Sequence, residues 1–190
     1  MKYTFRFDDV SLNTDPVKLD KMVAYLRDLI IPRDLQIMFV VSPAVHDVAG
    51  TDLEKERTFP SIMHTESDFR VFYMTSKIGI PEVVQRYRSQ VQIAAHGMMH
   101  VDHRLLHKSA QELSLLMSCS LLNTTLVVMP FNKYNSDTES ICTEHKLHLI
   151  KYSAAWKHLA YHRFDPRHEA YYLHTHDFTL EQFTEKFKPA

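Results

Sequence analysis

Short apolar runs alternate with stripes of helical period along most of this chain, and that alternation constrains the fold more than any other feature. Lys2 to Phe7 is β-rich and of strand length. Asp15-Pro16 then has the form of a helix cap followed by proline at the first helical position. Val17, Leu19, Met22, Val23, Leu26, Leu29 and Ile30 continue as a helical stripe. Leu35 to Val41 is a continuous apolar run, as in the buried strands of parallel sheets. Later come a helix from Pro81 to about Tyr87, a strand from Val91 to Ala95, and a helix to about Leu121 opened by a capping box at Ser109-Ala110-Gln111-Glu112. Thr125 to Met129 reads as a strand. Ser136-Asp137-Thr138-Glu139 opens a helix to about Lys146, Tyr171 to Leu173 is a strand, and a short helix begins near Leu180. This order predicts a single α/β domain over residues 1–190, with a parallel sheet that is open or closed into a barrel. Residues 42–80 fit the alternation poorly. They are read as an insertion over one face, with a strand at Phe69 to Met74.

The chemistry-bearing residues occupy one kind of place in this pattern. Asp8-Asp9, His96, Pro130-Phe131 and His174 each follow a predicted strand at its carboxyl end. In barrels and parallel sheets that edge is where ligands bind, so residues distant in sequence converge there. Adjacent carboxylates repel, and a fold gains little from placing them together. One can bind a cation and the other accept a proton, although aspartates also close turns. His96 and His100 stand four residues apart at a strand exit and can face one ion. Spacing alone does not sort the thirteen histidines, since His103/His107 and His158/His162 share it. Those two pairs lack the strand-exit context and read as ordinary core or surface residues. Met98 and Met99 read as packing.

Composition excludes other classes. With 22 basic and 23 acidic residues and no Lys/Arg block, no nucleic-acid surface is expected. No apolar run approaches the roughly 20 residues of a membrane span. Met1-Lys2-Tyr3-Thr4-Phe5 lacks the features of a secretory signal, so the expected location is cytoplasmic. Cys119 and Cys142 form no Cys-x-x-Cys motif, and Cys119 falls on an apolar helical stripe.

Four islands then stand out together: Phe7-Asp8-Asp9, His96-Gly97-Met98-Met99-His100, Met129-Pro130-Phe131-Asn132 and Leu173-His174-Thr175-His176-Asp177. In order and content they resemble the motifs of polysaccharide deacetylases, carbohydrate esterase family 4. The resemblance implies a distorted (β/α) barrel with fewer than eight strands. It implies Asp8 as general base, Asp9, His96 and His100 as ligands of one divalent ion, and His174 as general acid. Zinc is the expected ion, and cobalt, nickel, iron and manganese also suit an Asp-His-His set. The implied reaction removes an N-acetyl group from a small or carrier-linked saccharide. Pro130, Phe131, Asn132, Trp156 and His176 are expected around the substrate, with the Phe131 N–H facing the oxyanion. His176 could replace His174, since both would face one side of a strand.

The chain also departs from the family pattern. Gly97 stands where members often carry Ser or Thr. The run Thr125-Leu126-Val127-Val128-Met129-Pro130 lacks the arginine that orients the catalytic base, so another group must orient Asp8. Two rival readings follow. One is a binding protein that kept this fold without catalysis. The other is an HD-type metal phosphohydrolase, from the dipeptides His46-Asp47 and His176-Asp177; that fold is all-helical. Oligomeric state is not legible.

Overall fold

A computed structural model of the chain describes residues 2–46 and 76–188. Strand β1 (Tyr3–Val10) is an interior strand of a seven-stranded parallel sheet. On one side it pairs with β2 (Leu35–Val41), followed outward by β5 (Gln92–Ala95), β6 (Leu126–Val127) and β7 (His148–Leu149). On the other side come β9 (Ala170–His174) and then β8 (Trp156–His158). Around the sheet the strands follow chain order, with one break between β7 and β8. The result is a curled half-barrel, a distorted (β/α) barrel with fewer than eight strands. A parallel sheet of seven strands is incompatible with the all-helical HD-type reading.

Period-two alternation separates two faces of this sheet. Phe5, Phe7, Phe39, Val41, Ile93, Ala95, Tyr171 and Leu173 join one large core cluster. Against them pack Leu19, Met22, Val23 and Leu26 of helix α1 (Pro16–Leu29), and Val83 and Val84 of α2 (Glu82–Tyr87). Leu115, Cys119 and Leu122 of α3 (Lys108–Leu122), Ile141 and Cys142 of α4 (Ser136–Glu144) and Phe183 of α5 (Leu180–Glu185) complete that layer. The alternate strand positions face the hollow of the half-barrel. Met38, Val40, Ala94 and Val128 form a small apolar floor there, and Arg6, Asp8, Tyr172 and His174 share its parity.

Local chemistry explains the helix ends, with two corrections. Asp15 caps α1 as expected, accepting from the N–H groups of Val17 and Lys18 at 2.9 and 3.1 Å. The cap of α3 is His107 rather than Ser109. Glu112 instead meets His145 at 2.6 Å. The capping box of α4 is Asn135 with Thr138, one residue earlier than Ser136 with Glu139. Strands β7 and β8 have no counterpart in the sequence reading, and the strand expected at Thr125–Met129 shortens to β6.

Strands β3 (Ala44–His46) and β4 (Ser76–Ile78) form a separate antiparallel pair. Both lie within residues 42–80, the stretch expected to be an insertion. The strand expected at Phe69–Met74, and Asp47 of the His46-Asp47 dipeptide, lie outside the described residues. Among the described residues, no helix is long and apolar enough to cross a membrane.

Candidate metal and catalytic site

The carboxyl edge of the half-barrel holds a cleft of about 510 Å³. Its first wall comes from β1. The strand does not end at Asp8-Asp9, as the sequence implied; it runs through them in a bulge, with the register to β2 shifting between Phe7 and Val10. Asp9 has φ of 59°, in the left-handed region that non-glycine residues seldom enter. Such strain costs on the order of 1–3 kcal/mol and collects where a side chain must be aimed. Asp8 faces the hollow by strand parity, and this turn brings the adjacent Asp9 into the same cleft.

Asp9 Oδ1 lies 3.1 Å from His96 Nε2 and 3.0 Å from His100 Nε2. His96 follows β5 directly and is buried, and its Nδ1 donates to the carbonyl of Val128 at 2.6 Å. A neutral imidazole committed in this way presents a bare lone pair at Nε2. A lone pair facing a carboxylate oxygen at 3.1 Å is repulsive unless a proton or a cation sits between them. Burial works against the Asp9 charge, but the two imidazoles outweigh it and hold this carboxyl well below the usual range. Two imidazole nitrogens and one carboxylate oxygen, mutually close and partly open to the cleft, suit a divalent ion. The donor set therefore fits a metal.

Gly97 is explained by its neighbour. Its φ is +73°, and a Cβ there would lie 2.3 Å from Cε1 of His103. The His103 ring fills the space that Ser or Thr would need. It is fully buried, with Nδ1 donating to Val101 O and Nε2 on Ser114 Oγ, both at 3.0 Å. The Ser114 hydroxyl also accepts from the Met98 N–H at 2.9 Å. Helix α3 thus pins the loop that carries His100. Met98 and Met99 pack in a small cluster with Ala44, Val101, Leu106 and Ala110.

The group that orients Asp8 is Arg6. Its Nη2 donates to Asp8 Oδ2 at 2.7 Å and to Asn132 Oδ1 at 3.0 Å. Both members of the pair are buried. The guanidinium carbon lies 4.9 Å from the ring centre of Trp156 and 5.2 Å from that of Tyr172, a placement that favours a cation over aromatic faces. Trp156 is therefore packed against Arg6 and does not line the cleft. Pro130 is buried and does not line it either; it opens the turn that carries Phe131 and Asn132. These two residues have φ of 57° and 54°. Phe131 packs at a tilt against His100, ring centres 4.5 Å apart.

The opposite wall comes from β8 and β9. His174 pairs with Asp8 in the register of the parallel strands. Its Nε2 points to Asp9 Oδ2 at 3.6 Å, and its Nδ1 meets Asp177 Oδ2 at 2.9 Å. Burial opposes its charge, yet Asp177, Asp9 and Asp8 raise its pKa above the ordinary histidine value. His176 stacks on His174 at 5.1 Å and is half exposed. Burial and the neighbouring His174 lower its pKa. His158 corrects the bland reading of its pair: it lines the cleft and lies 2.9 Å from Asp177 Oδ2. Lys133 and Tyr161 complete the mouth.

No family model matches the sequence, and no curated protein matches it. Among solved structures, the chain is similar to a family 4 carbohydrate esterase from Streptomyces lividans in complex with acetate. The TM-score is 0.53 at 10% sequence identity, over 97% of this chain and 83% of that one. At that identity the likeness is one of fold. It is the half-barrel expected from the four islands.

Proposed function

We propose that this chain is a metal-dependent hydrolase that removes an acetyl group from an N-acetylated saccharide. The observation that carries the reading is the meeting, in one cleft, of an Asp-His-His cluster, a second aspartate held by a buried arginine, and a histidine held by an aspartate. Asp9, His96 and His100 would hold the ion. A divalent ion in that position supplies Lewis acidity, which polarises a carbonyl and acidifies a water.

The remaining steps belong to the protein. Arg6 engages Asp8 Oδ2 through Nη2. Among the described residues, the buried Oδ1 has no partner and is the oxygen that accepts a proton from the attacking water. The Phe131 N–H and the turn around it face the oxygen that becomes negative. His174, charged at Nε2 and steered through Nδ1 by Asp177, gives its proton to the departing amine, which leaves poorly without one. The products are acetate and a free amino sugar.

Phe131 and Tyr161 are exposed by 38% and 82% at the mouth. Exposed rings beside a polar cleft suit the apolar face of a sugar and a soluble or carrier-linked substrate. The missing motif arginine favoured a binding protein without catalysis. The Arg6–Asp8 pair supports the catalytic reading instead, because it gives Asp8 a cationic partner.

Acetate release from a panel of N-acetylated saccharides tests the reading. It should require added zinc or cobalt, stop with a chelator, and fall at least about 100-fold in Asp8→Asn. Metal-independent release, or release unchanged in Asp8→Asn, would refute it.

A further inference from the structure

We propose that His158, His174 and Asp177 form a second divalent-cation site, and that the His174 imidazole lies between the two. The inference rests on the metal reading of the Asp9 cluster only for that bridging role; the new site stands on its own donors.

The geometry is the argument. Asp177 Oδ2 is 2.9 Å from His158 Nε2 and 2.9 Å from His174 Nδ1. The corresponding distances from Asp9 Oδ1 are 3.1 and 3.0 Å. A tetrahedral ion bound at about 2.0–2.1 Å spaces its ligands roughly 3.3 Å apart. In each cluster the two Asp–His edges need only a slight opening to reach it, and all three donor atoms lie within 4.8 Å of one another. Both offer two imidazoles and one carboxylate, the borderline donor set that zinc and cobalt favour. The members of the new site all line the cleft, which leaves coordination positions open on that side. The His158 ring is held by Tyr172, stacked at 4.5 Å and 15°, and by Tyr161 at 4.8 Å. Its nitrogen is therefore aimed before any ion arrives.

His174 gives the site its consequence. One edge of the ring faces Asp9, and the other belongs to the new cluster. A cation bound at Nδ1 replaces the proton there and engages Asp177 as well. It removes the hydrogen bond by which Asp177 steers His174. A second equivalent of metal should therefore inhibit the enzyme that the first one activates.

A third group, Glu112, Glu144 and His145, sits on the outer surface of α3 and α4 and serves as the control. Glu144 there already engages Lys108 and Ser140.

The test is zinc stoichiometry, by equilibrium dialysis and elemental analysis, on the full chain. Wild type should hold two equivalents, and His158→Asn and Asp9→Asn one each. The double variant should hold none, and Glu112→Gln/His145→Asn should hold two. His158→Gln, which keeps a hydrogen bond to Asp177, replaces His158→Asn if that variant fails to fold. A wild-type stoichiometry of one that His158→Asn leaves intact overturns the proposal. So does a second equivalent that survives in both His158 variants or vanishes only in the control. If Asp9→Asn keeps both equivalents while His158→Asn loses one, the second site stands and the first reading fails. Cobalt absorbance gives the same count independently, rising in two steps in wild type and one in His158→Asn.

Discussion

Arg6 Nη2 lies 2.7 Å from Asp8 Oδ2, and the two side chains come from alternate positions of one strand. Residues two apart on a strand share a face, so the strand that delivers the proposed base also delivers its counter-charge. In the four-island resemblance the expected arginine belongs beside Pro130. Here the loop at Pro130 supplies Asn132 instead, which accepts from the same Nη2. The guanidinium is held by four groups: a carboxylate, an amide and two aromatic faces.

This arrangement predicts a strong coupling between the two residues. Removing one member of a buried ion pair leaves an uncompensated charge and costs about 3–5 kcal/mol. Arg6→Met should lower stability by that order. Asp8→Asn added to it should restore part of the loss, because no bare carboxylate then remains. Urea midpoints of the two single variants and the double variant measure the coupling. Additive losses would show that the pair contributes nothing as a pair.

Gly97 and His103 form a second coupled pair. Gly97→Ser must place a Cβ against the His103 ring at a backbone φ of +73°. Overpacking costs about 1–3 kcal/mol, and the left-handed backbone adds about 1–2 kcal/mol. Gly97→Ser should therefore be destabilised by roughly the sum. Gly97→Ser/His103→Ala should recover the steric part alone, and thermal midpoints of the four proteins would show it. No recovery would place the penalty wholly in the backbone.

Much of this site is legible in the sequence because strand ends are legible. Phe7, Ala95 and Leu173 each close an apolar run, and the polar residue that follows each one meets the others in the cleft. Arg6 was readable as well, since a lone cation between Phe5 and Phe7 has the parity of Asp8. The rest carries no periodic signal. Strand β8 has three residues, too few to show alternation, so nothing marked His158 as a cleft residue or Trp156 as the cover over Arg6. The bulge at Asp9 has no glycine to announce its positive φ. The caps shifted because Asn135 and His107 could serve one or two residues before the serines.

His103 makes stability depend on pH. Burial lowers its pKa from 6.5 to about 4 in the folded chain. Between those values the unfolded chain binds a proton that the folded chain does not. The stabilisation is complete above pH 6.5 and is lost as pH falls towards 4, by about 3 kcal/mol over the window. Asp9 and Asp177, held below the ordinary carboxylate value of 3.8, lose their contributions only at lower pH. Urea midpoints at intervals from pH 7.5 down to about 4, with a chelator present, should show the decline. His103→Gln should be less stable at neutral pH and flatter across the window. An equal slope in both proteins would assign the decline to other groups.

His174 and His176 are separable by the leaving group. The two rings stack at 5.1 Å, but only His174 has a nitrogen beside Asp9 and another held by Asp177 at 2.9 Å. His176 Nε2 stays 3.8 Å from Asp177, and its ring is half exposed. General acid catalysis contributes about 100- to 10,000-fold when the departing group needs a proton. His174→Ala should therefore lower kcat on an N-acetyl sugar by at least 100-fold, and His176→Ala by less than about 10-fold. An aryl acetate, whose phenolate departs unaided, removes the need for the proton. On that substrate His174→Ala should recover most of its loss while Asp8→Asn does not. A His174→Ala defect of the same size on both substrates would mean that the ring positions the cleft rather than donating the proton.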